Sequence, residues 1–263
     1  MAPARAALDA ARRAPRPGLA LALTVVLAVA VNLAVGLVVP AALYVPGALL
    51  AALAAAWIAV RVGGCGARDL GLARADLGRG LRYGAVTVAP VAAVLALGVA
   101  LPATRELFAD RRVDQHSVAV LLYVTLVRIP LGTVVLEETL FRGVLLGLGL
   151  RRWSRGVVVA WSSLLFGLWH VLPARGLPGF NPLVASVSQG TLRHLLAIVL
   201  AVVGTALAGA LFCWLRLRAR SLLAPAVLHL AANSLAYATA WAVLRAGWSP
   251  AVESSAGRLV TGW

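Results

Sequence analysis

Two adjacent carboxylates, Glu137 and Glu138, stand inside the apolar run Leu131-Gly-Thr-Val-Val-Leu-Glu-Glu-Thr-Leu-Phe-Arg-Gly-Val-Leu-Leu146. Holding one carboxylate at mid-membrane depth costs roughly 2.5 kcal/mol or more, so a pair marks a functional site whose partners must be found. Glu138 and Arg142 are four residues apart, share a helix face and can form an ion pair. Glu137 points about 100° away from Glu138, onto another face. The doublet therefore supplies one paired carboxylate and one spare.

Two other polar clusters follow in apolar runs: Phe166-Gly-Leu-Trp-His170 and His229-Leu-Ala-Ala-Asn233. His229 and Asn233, four apart, also share a face. Glu137 lies 16 residues before Trp153, the centre of the turn 151–155, and His170 lies 17 after it. Antiparallel helices rising ~1.5 Å per residue would bring those two to nearly the same depth. His229 lies only 11 residues past Arg218, in the next basic turn. It reaches that depth only if the two earlier helices project one to two turns further at their basic ends.

These residues must be carried by membrane helices. Of 263 residues, 62% are hydrophobic and 13% charged, and the mean hydropathy is +0.92. A soluble domain carries about a quarter charged residues. The expected fold is all-α, a polytopic transmembrane bundle of about seven spans. The apolar runs are 19–39, 41–60, 83–101, 117–150, 156–172, 194–214 and 222–244. The fourth is interrupted by Arg128 and Pro130; splitting 117–150 into two helices would make eight. Loops are expected at 61–82 and 173–193. The domain plan is a basic tail (1–18), N-terminal helices (19–116), a catalytic core (117–245) and a C-terminal tail (246–263).

The net charge of +15 comes from arginine, with no lysine in the chain. It does not point to nucleic acid, because the arginines occupy loops between apolar runs. The N-terminal tail (Arg5, Arg12, Arg13, Arg16), the loop 61–82 and the turns at 151–155 and 216–220 all fall on one side of a seven-span chain. The positive-inside rule puts that side, with the N-terminus, in the cytoplasm. The expected location is the plasma membrane of a prokaryote, with the bilayer and a protein or peptide substrate as partners. The first run is read as a retained span rather than a cleaved signal. Cys65 and Cys213 form no CxxC.

The ordered set Glu-Glu-x-x-x-Arg, Phe-x-x-x-His and His-x-x-x-Asn, with its Phe141-Arg142-Gly143 continuation, resembles the CAAX-protease and bacteriocin-processing (CPBP, Abi) intramembrane endopeptidases, relatives of the type II CAAX prenyl protease. The likeness covers roughly residues 117–240. It implies that Glu137, with His170, activates a water to attack a peptide carbonyl. It implies that His229 and Asn233 stabilise the oxyanion, and that Glu138, Arg142 and Phe166 support the site. No metal is favoured, since HExxH is absent and each His is on a different helix. Zinc stays open as the alternative, with Glu137, His170 and His229 as its ligands. The site is expected to open to the cytoplasm. A non-catalytic protein of the same fold, serving bacteriocin immunity, peptide binding or transport, is the competing reading.

Other polar residues carry blander expectations. Ser162 and Ser163 lack the Gly-x-Ser-x-Gly context of a serine nucleophile. An aspartyl mechanism fails because no Asp lies in a span. His116 and His194 sit at span ends as structural residues. Arg128 and Arg193 are expected to snorkel to the interface. Trp57, Trp153, Trp214 and Trp248 suit interfacial anchoring. Trp169 is open between packing and shaping the pocket.

Overall fold

The computed structural model describes residues 15–247. Arg5, Arg12, Arg13 and Trp248, and most of both tails, lie outside the described residues. Leu-, Ala- and Val-rich runs with few breakers form helices throughout, in this order: α1 (Pro17–Leu37), α2 (Ala41–Val62), α3 (Ala67–Leu70), α4 (Arg74–Ala100), α5 (Val118–Gly149), α6 (Arg155–Trp169), α7 (Val171–Phe180), α8 (Pro182–Val187), α9 (Thr191–Ala219) and α10 (Leu223–Arg245). Six helical stretches are long and apolar enough to cross a membrane, and the bent pair α6–α7 makes a seventh. The bundle is all-helical among the described residues.

The run 117–150 does not split. α5 is one helix that passes Pro130 by opening into wide, π-type turns over Val124–Val134, with a second wide stretch over Glu138–Leu145. Proline has no N–H to donate and its ring crowds the preceding turn, so a looser winding keeps the helix continuous. Ser117 starts it, its hydroxyl accepting from the Val120 N–H at 3.3 Å.

Three boundaries differ from the sequence expectation. The stretch 74–82 is the first part of α4, not loop, because Gly80 and Gly84 let it pack closely on Ser221 and Val227. The fifth span ends at Trp169 instead of Leu172, where the chain bends by 41° into α7. The expected loop 173–193 holds α7 and α8, with Asn181 capping α8 by accepting from the Val184 N–H.

The basic loops gather at one end. Arg151 donates to the Gly63 carbonyl at 2.9 Å, and the Arg16 N–H to the Val62 carbonyl at 2.8 Å. Buried Arg216 donates to the carbonyls of Arg68 and Asp69, and the Leu222 N–H to that of Gly71. Gly71 has φ +74°, and the Arg216 guanidinium fills the space a side chain would need. The loop 63–73 is thereby pressed against α5, where a Cβ on Gly147 would lie 2.6 Å from the Asp69 carbonyl oxygen. Elsewhere, Gly167 admits the Val202 backbone and Gly209 admits Ser163 and the Phe166 ring, so α6 and α9 pack closely. The opposite end is closed by His116, which bonds Tyr237 through its ring and accepts from Trp241 and Arg245 through its carbonyl.

Gly147→Ala should therefore lift the loop 63–73 from α5. Overpacking of this kind costs about 1–3 kcal/mol. Thermal unfolding in detergent is expected to shift downward and trypsin to cut after Arg68 faster than in wild type. Unchanged melting and proteolysis would contradict the packing described.

Candidate functional site

The centre of the bundle holds four ionisable side chains on two helices. α5 presents Glu137, Glu138 and Arg142, and α10 presents His229. All four are buried, with exposures of 5%, 1%, 0% and 4%. Glu138 is shared: its Oε1 lies 2.8 Å from His229 Nδ1 and 3.3 Å from an Arg142 terminal nitrogen. The predicted pairing of Glu138 with Arg142 is therefore present, and His229 joins it. The remoter contact is between His229 Nε2 and Glu137 Oε2, at 3.7 Å. An ionised Glu138 can only accept, so His229 Nδ1 carries the proton of that bond.

Arg142 is held as much by aromatic faces as by charge. Its guanidinium lies 3.9 Å from the Phe166 ring centroid, 4.7 Å from that of Phe212 and 5.8 Å from that of Phe141. Cation–π attraction strengthens when the cation is desolvated, as here. Phe166 is also the hub between the two histidines. Its ring stands edge-on to His170 at 4.7 Å and to His229 at 6.2 Å between centroids. Its place in the Phe-x-x-x-His spacing thus has a packing reason, since it insulates the cluster and orients both imidazoles.

Glu137 has a different neighbour from the one expected. Its Oε1 accepts from the Trp169 indole N–H at 3.0 Å. Among the described residues no hydrogen bond joins Glu137 to His170. The equal depth of α5 and α6 at this level brings Trp169, the residue before His170, onto the carboxylate. Glu137 Oε2 is buried with no hydrogen-bond partner among the described residues. His170 Nδ1 lies 2.8 Å from the Phe166 carbonyl oxygen, which accepts from it, so the Nδ1 proton is fixed and Nε2 is left as the acceptor of the neutral ring. His170 and Asn233 are half-buried, and the Asn233 side chain makes no hydrogen bond among the described residues.

His229 reaches the level of the Glu pair although it starts only six residues into α10. α5 does extend past it at the basic end, as the residue count required, and Leu140–Gly149 are buried there without exception. The loop 63–73 and Arg216 cover the basic end, whereas the half-buried groups, His170 and Asn233, lie on the opposite side of the Glu pair.

No set of three His, Cys, Asp or Glu side chains among the described residues is arranged to hold a metal ion. Glu137, His170 and His229 do not converge as a three-ligand set. Ser162 donates to the Phe141 carbonyl, a packing role consistent with rejecting it as a nucleophile.

Sequence reasoning missed two contributors and left one open. Phe212 lies 5.2 Å from His229, ring to ring, and beneath Arg142; nothing in its local pattern distinguishes it from other apolar residues. Asn32 of α1 donates to the Trp169 carbonyl at 2.9 Å. Its signal was present, a lone amide in the first apolar run. Trp169, left open between packing and function, makes the direct bond to Glu137.

Residues 119–235 match the family model described as Type II CAAX prenyl endopeptidase Rce1-like. No curated protein and no solved structure matches the chain. The matched segment contains Glu137, Glu138, Arg142, Phe166, His170, His229 and Asn233, and it lies within the expected core of 117–245. Residues 119–235 are thus similar to the type II CAAX prenyl endopeptidases, within an all-helical membrane protein.

Proposed function

We propose that this protein is an intramembrane endopeptidase that hydrolyses a peptide bond of a membrane-associated protein or peptide. The carrying observation is Glu137: a buried carboxylate with one oxygen tied to Trp169 and the other unpartnered, beside His229 Nε2. In this reading a water held by Glu137 Oε2 and His170 Nε2 loses its proton to Glu137 as it attacks the peptide carbonyl carbon. The oxyanion is received by the Asn233 amide and by His229 Nε2–H. His229 Nδ1 already donates to Glu138, so Nε2 carries a proton only when the ring is protonated. With His229 protonated, two carboxylates face Arg142 and one imidazolium, and the buried charges sum to zero. Glu137 then returns its proton to the leaving amine, which completes the bond exchange without an acyl-enzyme.

The reaction is read as metal-free, because the histidines each face a different protein partner and HExxH is absent. Glu138, Arg142 and Phe166 act as scaffold. Substrate is read as entering from the bilayer or from the end opposite the arginine-rich loops. By the positive-inside rule those loops lie in the cytoplasm of a prokaryotic plasma membrane.

Peptide profiling of membranes carrying wild-type protein or Glu137→Gln tests the activity. Cleavage products present with wild type should disappear with Glu137→Gln and with His170→Ala. Asn233→Ala should slow them about a hundredfold, the usual loss on removing one oxyanion donor. Products should persist after chelation of the purified protein. The same products from Glu137→Gln would refute the assignment, and stoichiometric zinc lost together with activity would refute the metal-free reading. Orientation is tested by a membrane-impermeant thiol reagent on intact cells. A cysteine placed at Gly190 should be labelled and one placed at Arg152 should not; the reverse would invert the topology.

A further inference from the structure

We infer that Trp169 and Asn32 form a positioning relay that fixes which oxygen of Glu137 is free to work on water. The inference rests on the proposed role of Glu137, but its geometry stands on its own. α6 ends at Trp169, and the residue one turn on is Pro173, which has no N–H, so the Trp169 carbonyl has no helical donor. Asn32 Nδ2 donates to that carbonyl from α1 at 2.9 Å. The broken helix end is thereby latched to a helix outside the family-matched segment 119–235. The indole is gripped at its face as well, standing edge-on to Phe141 with centroids 5.6 Å apart. Its N–H then reaches Glu137 Oε1 at 3.0 Å.

The consequence is a choice between the two carboxylate oxygens. A free carboxylate rotates about its last torsion with little preference. With Oε1 held by the indole, Oε2 is turned toward His229 Nε2 and is the oxygen without a partner. A general base displaced by a fraction of an ångström or a few tens of degrees loses much of its effectiveness, so a rigid N–H donor here acts on turnover rather than on binding. Trp169 also lines an apolar groove of about 190 Å³ between α1 and α6, with Val29, Leu33 and Leu168. A residue that only shaped this groove would act on substrate affinity instead, and the two roles separate in kinetics.

The test has two arms on the full-length protein in detergent micelles. In the first, [¹⁵N]tryptophan labelling resolves the indole N–H signals, and the Trp169 signal is identified by its loss in Trp169→Phe. That signal should move in Glu137→Gln and, by a smaller amount, in Asn32→Leu. An unmoved signal in Glu137→Gln would overturn the relay whether or not the protein cleaves peptides. In the second arm, initial rates are measured on a wild-type-dependent product found by the profiling above. Trp169→Phe should lower kcat about tenfold to a hundredfold with KM changed less than about twofold, as expected for loss of a hydrogen bond to a charged group. Asn32→Leu should lower kcat less, and Trp169→His, which keeps a ring N–H, should recover part of the loss. A raised KM with unchanged kcat, or a faster Trp169→Phe enzyme, would overturn the positioning role. Absence of any wild-type product would count against the peptidase reading and leave the spectroscopic arm to decide the relay.

Discussion

The fold is organised around one electrostatic constraint: two carboxylates in an apolar interior have to be compensated there. Isolated, each would be expelled or neutralised. Compensation comes from Arg142 one turn along α5 and from His229 on α10, both meeting Glu138 Oε1. The Phe166, Phe212 and Phe141 rings then close over the guanidinium. Pairing at this depth fixes the register of α10 against α5, because a slip of one turn would strand a charge. Close packing of α6 on α9 through Gly167 and Gly209 follows from the same need, since it seats Phe166 beside Arg142. The loop 63–73 seals the basic end of the cluster under the guanidinium of Arg216.

Within that frame the two glutamates have different surroundings. Glu138 meets Arg142 and His229 through Oε1 alone, and its Oε2 is buried with no hydrogen-bond partner among the described residues. Glu137 is fixed by one neutral donor and keeps one oxygen unpartnered. Identical side chains at adjacent positions thus differ because about 100° of helix rotation turns one toward Arg142 and His229 and the other toward Trp169. The second wide stretch of α5 begins at Glu138 itself, which places that carboxylate at a change in winding.

Much of this was legible in the sequence because membrane burial makes polar residues costly. The Glu pair, the i,i+4 partner Arg142 and the histidines on two later spans stood out for that reason, and turn counting brought α5 and α6 to a common depth. What the sequence could not resolve was the rotation of α6 by one residue, which gives Glu137 to Trp169 instead of His170. That rotation depends on where α6 breaks, and Pro173 sets the break one turn before itself, at the Trp169 carbonyl that its ring crowds, so the expected end at Leu172 falls too late. The continuity of α5 through Pro130 was equally hidden, because wide turns restore a helix that local rules would end. The cover over the basic end was missed since the loop 61–82 reads as solvated until Arg216, from a distant helix, is seen to hold it. Phe212 was invisible for a simpler reason: it is one apolar residue among many, and only three-dimensional proximity to Arg142 gives it a role.

The division of labour between the two glutamates is most directly tested by comparing Glu137→Gln and Glu138→Gln in one preparation, with thermal unfolding and peptide cleavage read side by side. Glu137→Gln should melt within a few degrees of wild type and cleave nothing. Glu138→Gln should melt well below wild type, because Arg142 loses its buried counter-charge. Cleavage by Glu137→Gln, or two variants alike in melting, would contradict the account.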